Sequence, residues 1–237
     1  MILTQVNHIS ALGALAIALA CTPAANTTRG AESTTVARAD SSSVAAKRAP
    51  PDSNITQADL ARIQGSATAP VWVIEVSDFQ CPYCKQWHDM TYNALRDQYV
   101  KTGKVRLAYV NFPLESHAHA WPAAESAMCA GAQGRFWPMH DALFVTQNMW
   151  EASSAPAAVF DSLANANGMD MRRWRDCVKS GIMKPLIQAD RERASQAGAN
   201  ATPTFMIGDK ILAGAQPIGA LAAAIDSALA KTKAATR

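Results

Sequence analysis

The apolar, β-branched run "PVWVIEVSDF" (70–79) ends one residue before the quartet Cys81-Pro82-Tyr83-Cys84. No other feature limits the fold as strongly. A run of this length and composition reads as a buried strand. Pro82 suits the first position of a helix, where its missing N–H costs nothing. Trp87, Met90, Ala94, Leu95 and Tyr99 then recur at helical spacing, and Gly103 is a natural stop. "KVRLAYVNF" (104–112) alternates and reads as a second strand. The outcome is a strand–helix–strand unit with both cysteines at its first turn.

Residues 116–198 carry no convincing strand pattern. Ala120, Ala123, Ala124, Ala127 and Met128 form one helical stripe, and Trp137, His140, Leu143 and Phe144 form another. Val159, Leu163 and Ala164 lead to Gly168; Met171, Trp174 and Val178 lead to Gly181; Pro185 opens a last helix that closes near Gly198. Strands return with "TFMIG" (204–208) and "KILAG" (210–214), joined by a tight Gly208-Asp209 turn. Pro217 starts a terminal helix with the stripe Leu221, Ile225 and Leu229. The 237 residues therefore suit one α/β domain over 57–237, with a helical insertion at about 116–198.

A C-x-x-C pair can be half a zinc site, a local staple or a redox couple. A staple closing so short a loop adds little stability, because the entropic gain shrinks with loop size. A zinc site needs a second pair of ligands at short spacing, and the sequence offers none. A redox couple fits the location. At a helix N-terminus the Cys81 thiolate meets free backbone N–H groups and the positive end of the macrodipole, which lowers its pKa. Cys84 lies one turn on, placed to resolve a mixed disulfide. Pro82 stiffens the turn between them.

A second element is "ATPT" (201–204), directly before a strand. An X-Pro bond is where a cis peptide is cheap, and Pro203 at a strand start has no ladder hydrogen bond to lose. Taken together, strand, F-x-C-P-x-C, helix, strand, helical insertion, T-P-strand-turn-strand and helix resemble the DsbA-like thiol–disulfide oxidoreductases of the thioredoxin superfamily. The likeness runs from about Ile63 to Leu229, and 117–144 also looks like the helical domain of the bacterial branch. It implies a thioredoxin fold with an inserted helical domain, exchanging disulfides without a bound cofactor. Cys81 would attack and Cys84 resolve. Pro203 would be the cis-proline facing the disulfide, and Thr202, with Pro82 and Tyr83, would contact substrate. Glu75 matches the family's buried acid that moves a proton to or from Cys84, and its neighbours Val73, Ile74 and Val76 favour burial. Asp78 falls on the opposite face by strand alternation and ranks lower.

Direction is harder to read. Strong oxidants of this family place a histidine where Tyr83 stands, so part of the thiolate stabilisation is missing here. A potential between those of DsbA and thioredoxin is expected, with oxidation of exported proteins favoured over reductase or isomerase work. A thioredoxin-like copper carrier is the reading from another class; carriers of that build space their cysteines by three residues and need no cis-proline.

Cys129 and Cys177 both lie on apolar stripes. They are either unpaired buried thiols or, in an oxidising compartment, a structural disulfide worth about 4 kcal/mol in the chain-entropy model. His88, His117, His119 and His140 invite a metal through His117-x-His119, but two histidines so spaced in a loop are weak ligands, and no metal is expected. The net charge of +3 comes without a basic run, which gives no basis for binding nucleic acid.

At the N-terminus, "ISALGALAIALA" (9–20) is apolar, too short to span a bilayer, and fits a signal-peptide core. Residues 1–20 are expected to be removed, leaving Cys21 as a lipidated N-terminus. Residues 21–56, rich in Ala, Ser and Thr, would be a flexible tether. The expected setting is the cell envelope, periplasmic or otherwise extracytoplasmic, where disulfides persist. Partners would be reduced or misoxidised exported proteins and a membrane redox protein.

Overall fold

The computed structural model describes residues 52–235; the signal segment, Cys21 and the tether up to residue 51 lie outside them. The first element is a helix the sequence pattern did not announce, α1 (Ser53–Ala61), whose first turn overlaps the end of the expected tether. Asp52 caps it by accepting the Asn54 N–H at 2.7 Å. Its moment is weak because it buries one small face: Ala58 packs so closely on Gly131 that a Cβ there would meet the Ala58 backbone at 3.3 Å. A two-residue strand, β1 (Ile63–Gln64), follows and is too short to leave a period-2 signal.

The expected strand is β2 (Val71–Ser77). Helix α2 runs on from it as the consecutive segments Pro82–Trp87, His88–Tyr92, Asn93–Leu95 and Arg96–Val100. Two of these segments are π-type turns, and the first shifts the phase of the buried face. Thr91 and Tyr92 go inside, and Met90, placed on the apolar stripe by 3.6-residue spacing, is left exposed. Strand β3 (Val105–Asn111) completes the unit, parallel to β2 with Glu75 beside Tyr109.

Six helices separate β3 from the next strand: α3 (Ala120–Gly131), α4 (Phe136–Val145), α5 (Gln147–Trp150), α6 (Pro156–Ala166), α7 (Met171–Ser180) and α8 (Lys184–Gln196). The chain ends as the hairpin β4 (Thr204–Ile207), β5 (Lys210–Ala213) and the helix α9 (Ile218–Ala235). The sheet order is β1-β3-β2-β4-β5, with β4 antiparallel to β2. Being central, β2 is covered on both faces, which explains its nearly continuous apolar sequence. Val71 and Val73 pack with Trp87 and Leu95 of α2 and Leu221 and Ile225 of α9. Val76 faces the other way, against Ala194 of α8. The helical block has its own core of Met128, Phe136, Phe144, Trp150, Phe160 and Trp174, and Phe79, Cys81 and Cys84 belong to that core. Within the block, Cys129 of α3 and Cys177 of α7 are joined by a disulfide with Cα atoms 5.8 Å apart.

One buried ion pair ties three segments together. Arg62, between α1 and β1, pairs with Asp190 of α8, with Nη2 3.0 Å from Oδ1 and a second, shorter contact from Nη1 to Oδ2. The same Asp190 oxygen Oδ2 accepts the Asn111 backbone N–H at 3.2 Å and its Nδ2 at 3.0 Å. Arg62 also donates to Asp59, half-exposed, with Nε at 3.0 Å, so removing Asp190 leaves the buried guanidinium with that weaker partner alone, whereas removing both avoids most of the penalty. Asp190→Ala is therefore expected to cost about 3–5 kcal/mol in urea unfolding of the oxidised protein, and the double change Arg62→Met, Asp190→Leu clearly less. Equal losses in the two variants would show that the pair does not act as a unit.

Candidate active site

The site is built where β2 runs out. After Ser77 the chain must turn into α2 without leaving polar backbone unpaired inside the fold. Asp78 makes the turn: its Oδ1 accepts the Gln80 N–H at 2.7 Å, and its carbonyl accepts the Cys81 N–H at 3.1 Å. Its second oxygen accepts the Leu114 N–H at 2.9 Å and lies 2.7 Å from His117 Nδ1. Cys81 is then the N-cap of α2, extended at φ −69° and ψ 124°, with Pro82 as first helical residue. Sequence reasoning ranked Asp78 low as a proton carrier and missed its role as the residue that shapes the turn.

Both sulfurs are inside: Cys81 is 3% exposed and Cys84 is fully buried. Cys81 Sγ lies 3.4 Å from the Thr202 carbonyl oxygen, and the Thr202–Pro203 peptide is cis. Fold topology thus brings together two segments 121 residues apart. Gln147 of α5 contributes as well. Its Nε2 donates to the Phe79 carbonyl at 2.6 Å and the Cys81 carbonyl at 3.2 Å, holding the turn from the helical side. A single glutamine opening a four-residue helix left no pattern from which to find it.

The two thiols are driven apart electrostatically. A hydrogen bond from Cys84, helped by Thr202 and the backbone N–H groups of Cys84 and Tyr83, pulls Cys81 down to about 6 against its burial. Burial, together with the hydrogen bond to Cys81 and its charge, pushes Cys84 well above the usual thiol range. A thiolate on Cys81 beside a protonated Cys84 is the arrangement a thiol–disulfide exchange reaction needs. Pro82 and Tyr83 stand outside, Tyr83 62% exposed.

Glu75 lies on the β2 face that packs toward α2. It is fully buried, and neither carboxylate oxygen has a hydrogen-bond partner among the described residues. Burial pushes its carboxyl up to about 8. Ser77 Oγ and Tyr109 Oη nearby are likewise unpartnered among the described residues.

The histidines are distributed differently from the loop pair that the sequence suggested. His117 turns to Asp78, while His119 gives only its backbone N–H, to Gln80 Oε1 at 2.7 Å. His88 and His140 are buried between α2 and α4 and converge on Asp141. Its Oδ1 lies 2.8 Å from His140 Nδ1 and 3.4 Å from His88 Nε2. The three donor atoms lie within 4.8 Å of one another, a spacing from which a metal could be held. Here the carboxylate serves as the hydrogen-bond acceptor of both rings. Aromatic rings of Phe79, Tyr109, Trp137 and Phe144 surround His140, and burial pulls its imidazole down to about 4.

The family described as thioredoxin matches residues 57–227. A Salinispora arenicola protein named "Na(+)/H(+) antiporter NhaA 1" is 34% identical over 176 residues, covering 74% of this chain but 26% of that protein. The chain thus spans about a quarter of the length of that relative. No helix among the described residues is long and apolar enough to cross a membrane. A Bacillus anthracis protein named "Probable disulfide bond formation protein D" is 26% identical over 171 residues, covering 70% of this chain and 77% of that one. Among solved structures, alpha-DsbA1 of Wolbachia pipientis superposes with a TM-score of 0.65 at 20% identity, covering 74% of this chain and 94% of that one. Oxidised BdbD from Bacillus subtilis gives 0.65 at 21%, over 71% and 92%. The fold is therefore that of the DsbA-like thioredoxin structures.

Glu75 yields a signed prediction. Its carboxyl keeps its proton to about pH 8 when folded, against about 4.5 in the unfolded chain, so stability drains away as pH rises through that window. Glu75→Gln has no proton to lose. In the oxidised protein, where the cysteines do not titrate, the variant should gain on the parent by a few kcal/mol between pH 5 and 9. Urea midpoints that run parallel across that range would refute a buried, proton-holding Glu75.

Proposed function

The chain belongs to the thioredoxin family, and we propose that it is an exported thiol–disulfide oxidoreductase acting through a reversible Cys81–Cys84 disulfide. The observation that carries this reading is the placement of Cys81 at a helix N-cap. It lies 3.4 Å from the carbonyl of Thr202, with a protonated Cys84 one turn on. In the oxidised protein, a substrate thiolate attacks Cys81 Sγ. The Cys81–Cys84 bond breaks, its electron pair goes to Cys84, and Cys84 takes a proton from Glu75. A second substrate thiolate then attacks the substrate sulfur of the mixed disulfide and displaces Cys81 as a thiolate. Two electrons pass from substrate to protein, and a membrane redox partner removes them. The backbone beside Thr202 and cis-Pro203, with Pro82 and Tyr83 at the rim, would hold an extended substrate segment.

Two features favour an extracytoplasmic site. The apolar run 9–20 followed by Cys21 resembles a lipoprotein signal, and the Cys129–Cys177 disulfide is a bond that persists where the medium is oxidising. Lipid on Cys21 would anchor the domain to the envelope.

A Cys81 value of about 6 falls between those of thioredoxin, about 7, and DsbA, about 3.5. Stabilising the thiolate stabilises the reduced form, so the potential should fall between about −270 mV and about −120 mV. Equilibration with glutathione measures it. A value at or below that of thioredoxin would sink the oxidase direction and leave a reductase or isomerase using the same sulfurs. Cys84→Ala should accumulate envelope proteins as mixed disulfides on Cys81. An absence of adducts in that variant would count against exchange itself.

A further inference from the structure

Tyr83 leaves the gap between the two cysteines without a cation. Lys85, next along the helix, is engaged elsewhere: its Nζ lies 2.9 Å from Asp89 Oδ2 and 3.0 Å from the Phe144 carbonyl. A titratable side chain from outside α2, His117, lies close enough for the Cys81 charge to raise its imidazole. It sits in the loop between β3 and α3, which three contacts lash to the cysteine turn. Leu114 N–H donates to Asp78 Oδ2 at 2.9 Å, His117 Nδ1 lies 2.7 Å from the same oxygen, and His119 N–H donates to Gln80 Oε1 at 2.7 Å. Asp78 in turn holds the Cys81 N–H on its carbonyl. The imidazole is therefore fixed to the residue that places the nucleophile. With Nδ1–H committed to Asp78, Nε2 has no protein hydrogen bond among those described.

We propose that His117, oriented by Asp78, is the cation that stabilises the Cys81 thiolate and so sets how oxidising the dithiol is. It does from a neighbouring loop what an imidazolium between the cysteines would do directly. The groups facing it are consistent with a held proton. The hydrogen bond to Asp78 raises the imidazole above its usual value against partial burial, and the charges of Asp78, Cys81 and Glu151 add to it. Two segments, the cysteine turn and the loop after β3, thus bring a carboxylate-held imidazole to the residue that places the thiolate. This inference rests on the exchange reading above.

Coupling between two titrating groups is reciprocal, so the oxidation state of Cys81 must be felt at His117. In the purified full chain, NMR titration of the histidine rings, with His117 identified by its loss in His117→Asn, should give a higher midpoint in the reduced than in the oxidised protein. Equal midpoints would overturn the proposal, whatever the variants do. His117→Asn keeps a donor for Asp78 without the charge. Its Cys81 thiolate-to-thiol ratio at pH 6 should fall about threefold or more, equivalent to half a pKa unit. Its glutathione equilibrium should shift by a similar factor toward the disulfide form. His117→Lys returns a charge and should recover much of both. If Asn and Lys lower the thiolate fraction equally while the oxidised proteins unfold at the parental urea concentration, His117 is only a loop anchor and the idea is wrong. If the parent chain forms no Cys81–Cys84 disulfide with glutathione, the exchange reading itself fails and takes this one with it.

Discussion

The structure around the two cysteines depends on how one buried carboxylate spends its acceptors. A central strand covered on both faces cannot simply stop, because its last backbone groups emerge in an apolar interior. Asp78 resolves this by accepting from Gln80, Leu114 and His117 through its side chain and from Cys81 through its carbonyl. Those four contacts set the direction of α2, fasten the loop 114–119 and fix Cys81. Losing any one of them would loosen the turn that places Cys81 beside the Thr202 carbonyl.

The same low-dielectric setting produces opposite effects on neighbouring groups, and the competition decides the chemistry. Cys84 and Glu75 have too few partners for their charged forms, so desolvation wins and both hold protons. Cys81 is also inside, yet a thiol and two backbone N–H groups at a helix start point at it, so hydrogen bonding wins. Position within one helical turn thus separates a good leaving group from a proton store. In the proposed exchange, a carboxyl that retains its proton to about pH 8 would be matched to a buried thiol that gains or loses one.

Much of this was legible before any coordinates, for identifiable reasons. Strands β2, β4 and β5 carry strong local patterns, and the Cys81–Cys84 pair and Thr202-Pro203 are marked by residue types whose backbone demands are unusual. What escaped the sequence lacks local signal. Helix α1 buries little beyond Ala58, and β1 is two residues long. The exposure of Met90 follows from a π-type turn that adds a residue to the helix and rotates every later position. Arg62–Asp190, Asn111 and Gln147 are single polar residues whose partners lie between 66 and 128 positions away. Long-range polar pairing leaves no periodicity to read.

Those long-range partners also explain why the helical block is more than an appendage. The cysteine turn is held by Asp78 from beneath, by the Thr202 carbonyl from the β4 side and by Gln147 from α5. The third of these exists only because the block returns to the sheet. Phe79 shows the same dependence. It precedes the cysteines on the chain, yet it stacks on Tyr109 of the sheet at 4.9 Å and packs on Phe144 of α4 at 5.1 Å. The block therefore closes the aromatic wall behind the sulfurs and keeps Cys84 and Glu75 from water. A thioredoxin sheet without the block would keep the C-x-x-C turn but lose the burial that separates the two thiols. On these physical grounds the insertion is part of the proposed redox centre.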